Sequence, residues 1–410
     1  MKRNLWQPGA RTRAFTNGRR PSSMPSLWVD GYEIQIVSGS DGRRTDLERD
    51  LDAAGVALPL QGRLAWRAVD AESGMIFGLV RNGTGRPLCG FGGRVGRSRA
   101  YPGFSIVRVE RFAEECEAGA ARAAVAALGE WVRSRRVLRL HLEVHTTSQA
   151  MRTAVTEACV AFGWRRHVMR SYAKTVKLDL TPAPEVIFDN LHATARRHIR
   201  AVEKRPVEIG VIDDPSFAGR MNELLRESLE RTGGRFQRQP FAQLIRFANE
   251  HPRLARVVGL FRKDASGPEA LIAFAVGYHH GSHTEYGHAG CTRQTDVRMP
   301  LMYGLAWDLI LWSRDNGAQW FDFGGIKGDT SSVESTDGIA DFKRYFVRTA
   351  VDVGEEWVLE PHPIRAAVAR GIVSVANGIA SVAGLMSALP NGSGWLRLAP
   401  KQSDRIELAS

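Results

Sequence analysis

Between Trp320 and Phe346 the chain reads WFDFGGIKGDTSSVESTDGIADFKRYF, and residues suited to chemistry gather at its end. Lys343 and Arg344 are flanked by Phe342, Tyr345 and Phe346. When an amine attacks an ester or thioester carbonyl, an oxyanion develops, and a lysine in a partly desolvated pocket can stabilise it. Trp320, Phe321 and Phe323 read as a short buried strand, and Gly324-Gly325 ends it where backbone can approach a ligand closely. A polar Ser/Thr/Asp-rich loop separates the two halves. The plainer alternative makes the aromatics core residues and Lys343 a surface charge.

A second set of candidates lies in FDNLHATARRHIRAVEKR, residues 188–205. The spacing predicts one amphipathic helix with Leu191, Ile199 and Val202 as its buried stripe. Arg196, Arg200 and Lys204 follow at i, i+4 and i+8, with Arg197 beside them. Such a row can clamp phosphate or carboxylate groups through paired guanidinium bonds, or simply be a solvated face. His279, His280, His283 and His288 are dense enough to suggest a metal. They fall across a hairpin, alternate between faces and lack a cysteine or paired carboxylate to complete a tetrahedral set. They are therefore expected to be exposed turn residues, and no metal is expected.

The DFGG-to-FKRYF segment together with TARRHIRAVEK resembles the Fem family of aminoacyl-tRNA-dependent transferases, which are built from two domains of the GNAT acyltransferase fold. The resemblance covers about residues 60–360 and implies an α/β fold of two tandem GNAT-like domains with mixed sheets flanked by helices. It implies that Lys343 is catalytic and that Arg197 and Arg200 contact an acidic group of the acceptor. It also implies that Tyr286, in TEYGHAG, and Phe342 border the substrate, and that Arg344, Tyr345 and Arg298 face the tRNA. Family members acting on cell-wall precursors often carry a long helical hairpin in the second domain. Between Val211 and Ala255 there is room for two ordinary helices only.

One expected feature is missing. Acetyl-CoA-using GNAT proteins hold pyrophosphate on a glycine-containing loop at a helix N-terminus. The corresponding turn here runs from Arg293 to Leu301 without a glycine, and Pro300 removes an N–H. The expectation is thus no bound cofactor, with aminoacyl-tRNA as co-substrate, or acyl-CoA if the alternative holds.

The elements that must position these residues can be read along the chain. Residues 1–26 form a basic arm too poor in apolar surface to order itself. A first GNAT-like domain is expected over 27–181. Its strands include VDGYEIQIVSG and RLAWRAVD, and a hairpin of Met75–Arg81 with Arg86–Arg94 turns through Asn82-Gly83-Thr84-Gly85. A helix at 112–135 follows, then a strand at 137–145 with its leucines on one face and Arg139, His141, Glu143 and His145 on the other. A helix at 148–161 completes the domain. A second domain at 182–361 repeats the order: a strand at 207–211, helices at 217–231 and 240–249, three strands within 255–289, and a helix at 300–316 feeding Trp320–Phe323. The tail, 362–410, contains an uncharged stretch that reads as an amphipathic helix, with Ile372, Val375, Ile379, Val382 and Met386 at helical spacing.

Length favours two cores, and 43% hydrophobic with 24% charged residues is a soluble globular composition. A net charge of +12 suggests a polyanionic partner, nucleic acid or an anionic membrane surface. The four cysteines form no CxxC pair and are expected to be buried thiols of a cytoplasmic protein. The leading expectation is transfer of an aminoacyl group from aminoacyl-tRNA to an amine of a small or peptidyl acceptor. Acyl-CoA-dependent N-acyl transfer is the alternative. A non-enzymatic protein binding RNA or a membrane surface is the third reading.

Overall fold

The computed structural model describes residues 26–38, 42–69, 74–112, 114, 116–169, 172–325 and 338–387. Most of the basic arm, the polar loop at 326–337 and the end of the tail lie outside the described residues.

The first half contributes β1 (Leu27–Val29), β2 (Tyr32–Ser38), α1 (Gly42–Ala53), β3 (Gly74–Arg81), β4 (Pro87–Arg97), β5 (Ser105–Phe112), α2 (Ala118–Arg133), β6 (Val137–His145), α3 (Gln149–Ala161) and β7 (Arg165–His167). The second half contributes β8 (Lys174–Asp179), α4 (Pro184–Asn190), α5 (Ala193–Ala201), β9 (Val207–Val211), α6 (Ala218–Arg231), α7 (Phe241–Glu250), β10 (Ala255–Arg262), β11 (Leu271–His279), β12 (His283–Cys291), α8 (Met302–Asp315), β13 (Trp320–Gly325), α9 (Gly338–Phe346), β14 (Val351–Asp352), β15 (Gly354–Leu359) and α10 (Pro363–Ser387). These assemble into two mixed sheets, ordered β1-β2-β3-β4-β5-β6-β15-β7 and β14-β8-β13-β12-β11-β10-β9.

The two sheets repeat one plan. In the first, five strands run antiparallel (β1 to β5), in the second four (β9 to β12); in each a helix then crosses over and the next strand returns parallel: β5 to α2 to β6, and β12 to α8 to β13. Each then gains an antiparallel neighbour from the segment expected to belong to the other domain, β8 from 27–181 and β15 from 182–361. β8 pairs with β13, and β15 inserts between β6 and β7. The expected boundaries at 181 and 361 need correction, since β8 belongs to the second sheet and β15 to the first. Strand periodicity locates such segments, but nothing in it states which sheet they join.

Alanine-rich α2 and α3 lie over Leu140, Leu142 and Val144 of the first sheet, with Trp164 and Trp357 closing that core. α1 covers the opposite face through Leu47 and Leu51 against Phe77 and Leu79. In the second sheet, α5, α8 and α9 cover one face and α6 and α7 the other. The stretch read as strand RLAWRAVD is instead a 3₁₀ turn, Leu64–Ala68. It docks Trp66 edge-on against Phe247 and Tyr278 of the second domain, at 5.3 and 5.4 Å.

The single helix expected over 188–205 is broken. α4 ends at Asn190, Leu191 turns extended, and His192 caps α5 by accepting from the Thr194 N–H at 3.2 Å. The expected helix at 112–135 starts later, because Phe112 still belongs to β5. All four cysteines are free, but only Cys89 and Cys159 are buried.

Candidate active site

The strand that carries the DFGG motif pairs in parallel with β12 over three residues only, from His283–Trp320 to Glu285–Asp322. Beyond that point β12 continues against β11, and the register of β13 against β8 slips between Asp322 and Gly325. Gly324 sits at φ +74°, a conformation that favours glycine. Buried Asp322 fills the irregularity, its Oδ1 accepting from the Gly324 N–H at 2.7 Å and from the Thr175 hydroxyl. The loss of pairing opens the sheet between Tyr286 and Phe323.

Lys343 reaches this opening from α9. Its Nζ donates to the carbonyls of Gly324 (3.0 Å) and Gly325 (2.6 Å). Burial pulls its pKa down to about 8 against the opposing pull of Asp322 and Glu285, so the ammonium is mostly retained at neutral pH. An ammonium has three N–H donors, and these bonds use two. Phe342 and Tyr286 pack with Phe323 in the aromatic cluster beside it. Burial raises the Tyr286 phenol well above its ordinary value, which makes that residue a wall and not a proton carrier.

Arg344 and Tyr345 line a groove of about 340 Å³ with Lys177, His192, Trp320 and Arg348. Tyr345 stacks on His192 at 4.8 Å, and its carbonyl accepts from the His192 N–H at 3.0 Å. Trp320 is 39% exposed. Aromatic faces interleaved with cations are the elements of a site for a nucleic-acid strand. Arg197 and Arg200 are exposed on α5, which packs against α9. The Arg200 guanidinium lies 4.9 Å over Phe188, while Arg196 is turned back to the Asp189 carbonyl. Arg298 is exposed in the loop before α8 and is not brought to Lys343 by any contact among the described residues.

Part of that loop's backbone is already hydrogen-bonded. The Gln294 N–H is taken by Thr292 Oγ1, that of Val297 by Thr295 Oγ1 and that of Met299 by the Val297 carbonyl. Pro300 has none.

The histidine expectation fails. His280 and His283 are 2% and 1% exposed, and their rings stack at 4.8 Å. They belong to a buried polar network that joins the two sheets. At its centre is Arg111, set in an irregular stretch of β5 at φ +51°, an uncommon conformation for a side chain of that size. Its Nη1 donates to Glu285 at 2.9 Å, its Nη2 to His283 Nε2 at 2.7 Å, and Glu114 lies at 3.3 Å. His145 Nδ1 meets Glu114 at 3.1 Å, and the Tyr172 hydroxyl meets Glu285 at 3.4 Å. His280 Nδ1 accepts from the Leu60 N–H at 3.0 Å.

Burial opposes the charges here, but mutual attraction wins. Arg111 stays well above and Glu114 well below its ordinary value, and Glu285 falls to about 2. Burial, with Arg111 adding to it, keeps His280 and His283 neutral. Glu114 also lines an open cleft of about 360 Å³ with Cys116, Thr146 and Ser148.

Of this network, sequence reasoning singled out only His280 and His283, and read them as exposed turn residues. His145 was placed only on the face of its strand opposite the leucines, and both faces of β6 are covered. The available signals were Glu285, adjacent to Tyr286 in TEYGHAG, and Asp322, inside the DFGG motif. One group of described residues brings metal-type ligands together: His141, His167 and Glu356 lie within 4.8 Å of one another. His141 Nδ1 pairs with Glu356 at 2.9 Å, and His167 Nδ1 meets the Val168 carbonyl, so the set reads as hydrogen-bonded pairs.

Residues 189–344 match the family model described as an acetyltransferase (GNAT) domain. Over 79% of this chain and 98% of the other, the fold is similar to that of FemX, with a TM-score of 0.62 at 11% identity. A tandem GNAT protein from the clavulanic acid biosynthesis pathway covers 81% of this chain and 99% of its own, with a TM-score of 0.48 at 16% identity. L-PGS from Bacillus licheniformis covers 84% and 98%, with a TM-score of 0.46 at 13% identity. No curated protein matches. The chain thus has a Fem-like fold of the GNAT acyltransferase type, two mixed α/β sheets flanked by helices, with the matched GNAT domain in its second half.

Proposed function

We propose that this protein is an amide-forming acyltransferase that takes an aminoacyl group from aminoacyl-tRNA and gives it to the amine of a small or peptidyl acceptor. The observation that carries the proposal is the Lys343 ammonium, held by the Gly324 and Gly325 carbonyls where β12 and β13 part. An ester carbonyl placed in that opening meets its third N–H. The amine nitrogen attacks the carbonyl carbon, and the π pair moves to oxygen as an oxyanion facing Lys343. Collapse breaks the bond to the ribose oxygen. That oxygen takes the proton lost by the nitrogen, leaving an amide and free tRNA.

The donor assignment draws support from the groove lined by Arg344, Tyr345, His192 and Trp320, which draws on the same helix α9 as Lys343, and from the +12 charge. Arg197 and Arg200 are available for an acidic group on the acceptor. The second reading, an acyl-CoA donor, draws on the matched acetyltransferase domain. The loop before α8, which has no glycine and three of whose amides are already bonded, weighs against it.

The test is a parallel donor screen. The protein is incubated with a labelled aminoacyl-tRNA pool or labelled acetyl-CoA, with and without a metabolite extract. Faster release from one aminoacyl-tRNA, reduced at least about a hundredfold in Lys343→Ala, is the expected result. Release from acetyl-CoA alone would transfer the protein to the second reading. No release from either would remove the enzymatic proposal.

A further inference from the structure

The last described helix is inverted relative to an ordinary surface helix. α10 packs on the end of β6 through its small residues: Ala366 and Ala369 are buried against Leu138, beside Tyr101 and Phe104. Its bulky apolar residues point away from the protein. Ile364 is 81% exposed, Val368 50%, Ile372 48% and Val375 63%. They recur at steps of three and four and so form one stripe. The sequence continues the spacing at Ile379, Val382 and Met386, and the helix extends to Ser387. A contiguous apolar stripe on a surface, here from Ile364 to Val375, marks an interaction site.

Charge decides between occupants. Between Glu360 and Asp404 the chain contains no acidic residue, while Arg365, Arg370, Arg397 and Lys401 are basic. A second copy zipped along the stripe would call for flanking charges of both signs, as helical pairs use, and α10 has only arginines among charged residues. Apart from Pro363, Val373 and Leu385, its remaining positions are Ala, Gly, Ser and Asn. No described helix is long and apolar enough to cross a membrane. An apolar stripe, a small polar face and positive charge alone match a helix lying in the plane of an anionic lipid surface.

We propose that α10 docks this protein on anionic membrane surfaces, with Ile364, Val368, Ile372 and Val375 entering the headgroup boundary and Arg365, at the edge of the stripe, near the lipid phosphates, while Arg370 on the far side pairs with Glu360. The proposal is independent of the transfer chemistry, and Lys343→Ala should bind lipid as the wild type does.

The test is cosedimentation of the full chain with vesicles of phosphatidylglycerol and phosphatidylcholine, against vesicles of phosphatidylcholine alone. Binding to the anionic vesicles is expected, weakening with salt and falling at least about tenfold in Val368→Asp/Ile372→Asp. Both positions are exposed, so the variant should melt like the wild type and keep its turnover on soluble donor. Should it fail to fold, a Val368→Trp variant gives the same answer through a blue shift of its emission on adding anionic vesicles. Absence of vesicle binding by the wild type overturns the proposal, as does equal binding by the Asp variant or an unmoved Val368→Trp emission. So does a wild-type dimer that the Asp substitutions dissociate without any lipid binding, which would assign the stripe to a second copy.

Discussion

At the scale of single residues, Lys343 meets opposed demands. The proposed transfer requires its proton, and burial resists it, bringing the pKa to about 8. With saturating acceptor, turnover should fall as pH rises through about 8, and Lys343→Arg should push that falling limb upward in a pH–rate profile. Stability runs the other way. Between about 8 and the ordinary value of 10.5 the unfolded chain binds a proton that the folded chain has released. The wild type should therefore gain up to roughly 3 kcal/mol relative to Lys343→Met across that window, read from urea midpoints.

The interdomain network has its own signature. His280 and His283 stay neutral when folded, while Glu114 and Glu285 stay charged. As pH falls below the ordinary histidine value of 6.5, only the unfolded histidines take up protons, so stability should decline from there downward. Below the ordinary glutamate value of 4.5 the carboxylates add to the loss until Glu285 titrates at about 2. Removing the central cation strands two buried carboxylates, so Arg111→Met should cost about 3–5 kcal/mol in denaturant titration.

At the scale of elements, the hairpin of β3 and β4, the strands β6, β9 and β10 and the helix α8 were legible, because period and turn chemistry agree there. Two features were not. The break between α4 and α5 depends on His192 capping from outside a continuous helical pattern, and helical spacing alone does not register it. The burial of His145, His280 and His283 depends on a second sheet packing against their strands, and alternation carries no information about that. In the active-site strand, Gly324 lets the backbone turn its carbonyl toward Lys343. Gly324→Ala forces a side chain into a left-handed conformation and should cost about 1 kcal/mol. A fall in kcat larger than that in thermal stability is expected, since the displaced carbonyl loosens the ammonium. Gly92→Ala is a packing control away from the site. Its Cβ would stand 2.2 Å from the Gly62 Cα, and the variant should lose about 2–4 kcal/mol in urea titration.

At the scale of the whole molecule, the two halves are linked by exchanged strands as well as by the buried network. β7 pairs only with β15, so a fragment spanning 27–181 lacks both the partner of β7 and Trp357 from its core. That fragment should not unfold cooperatively on its own, in circular dichroism melts, whereas the full chain should. A cooperative melt of the fragment would show that β15 is dispensable. Composition and motif spacing implied two similar modules but carried no trace of this exchange, which is a property of connectivity.

The same exchange sets a schedule for synthesis. When β6 and β7 leave the ribosome, the strand that belongs between them is still about 190 residues away. At ordinary elongation rates that interval is on the order of ten to forty seconds. Throughout it, the first sheet presents an unfilled slot with unpaired backbone on both sides, in a form prone to capture another chain's strand. Completion of the N-terminal sheet must therefore follow the synthesis of every strand of the C-terminal one. A nascent chain stalled before residue 354 should depend on chaperones to a degree that the finished protein does not.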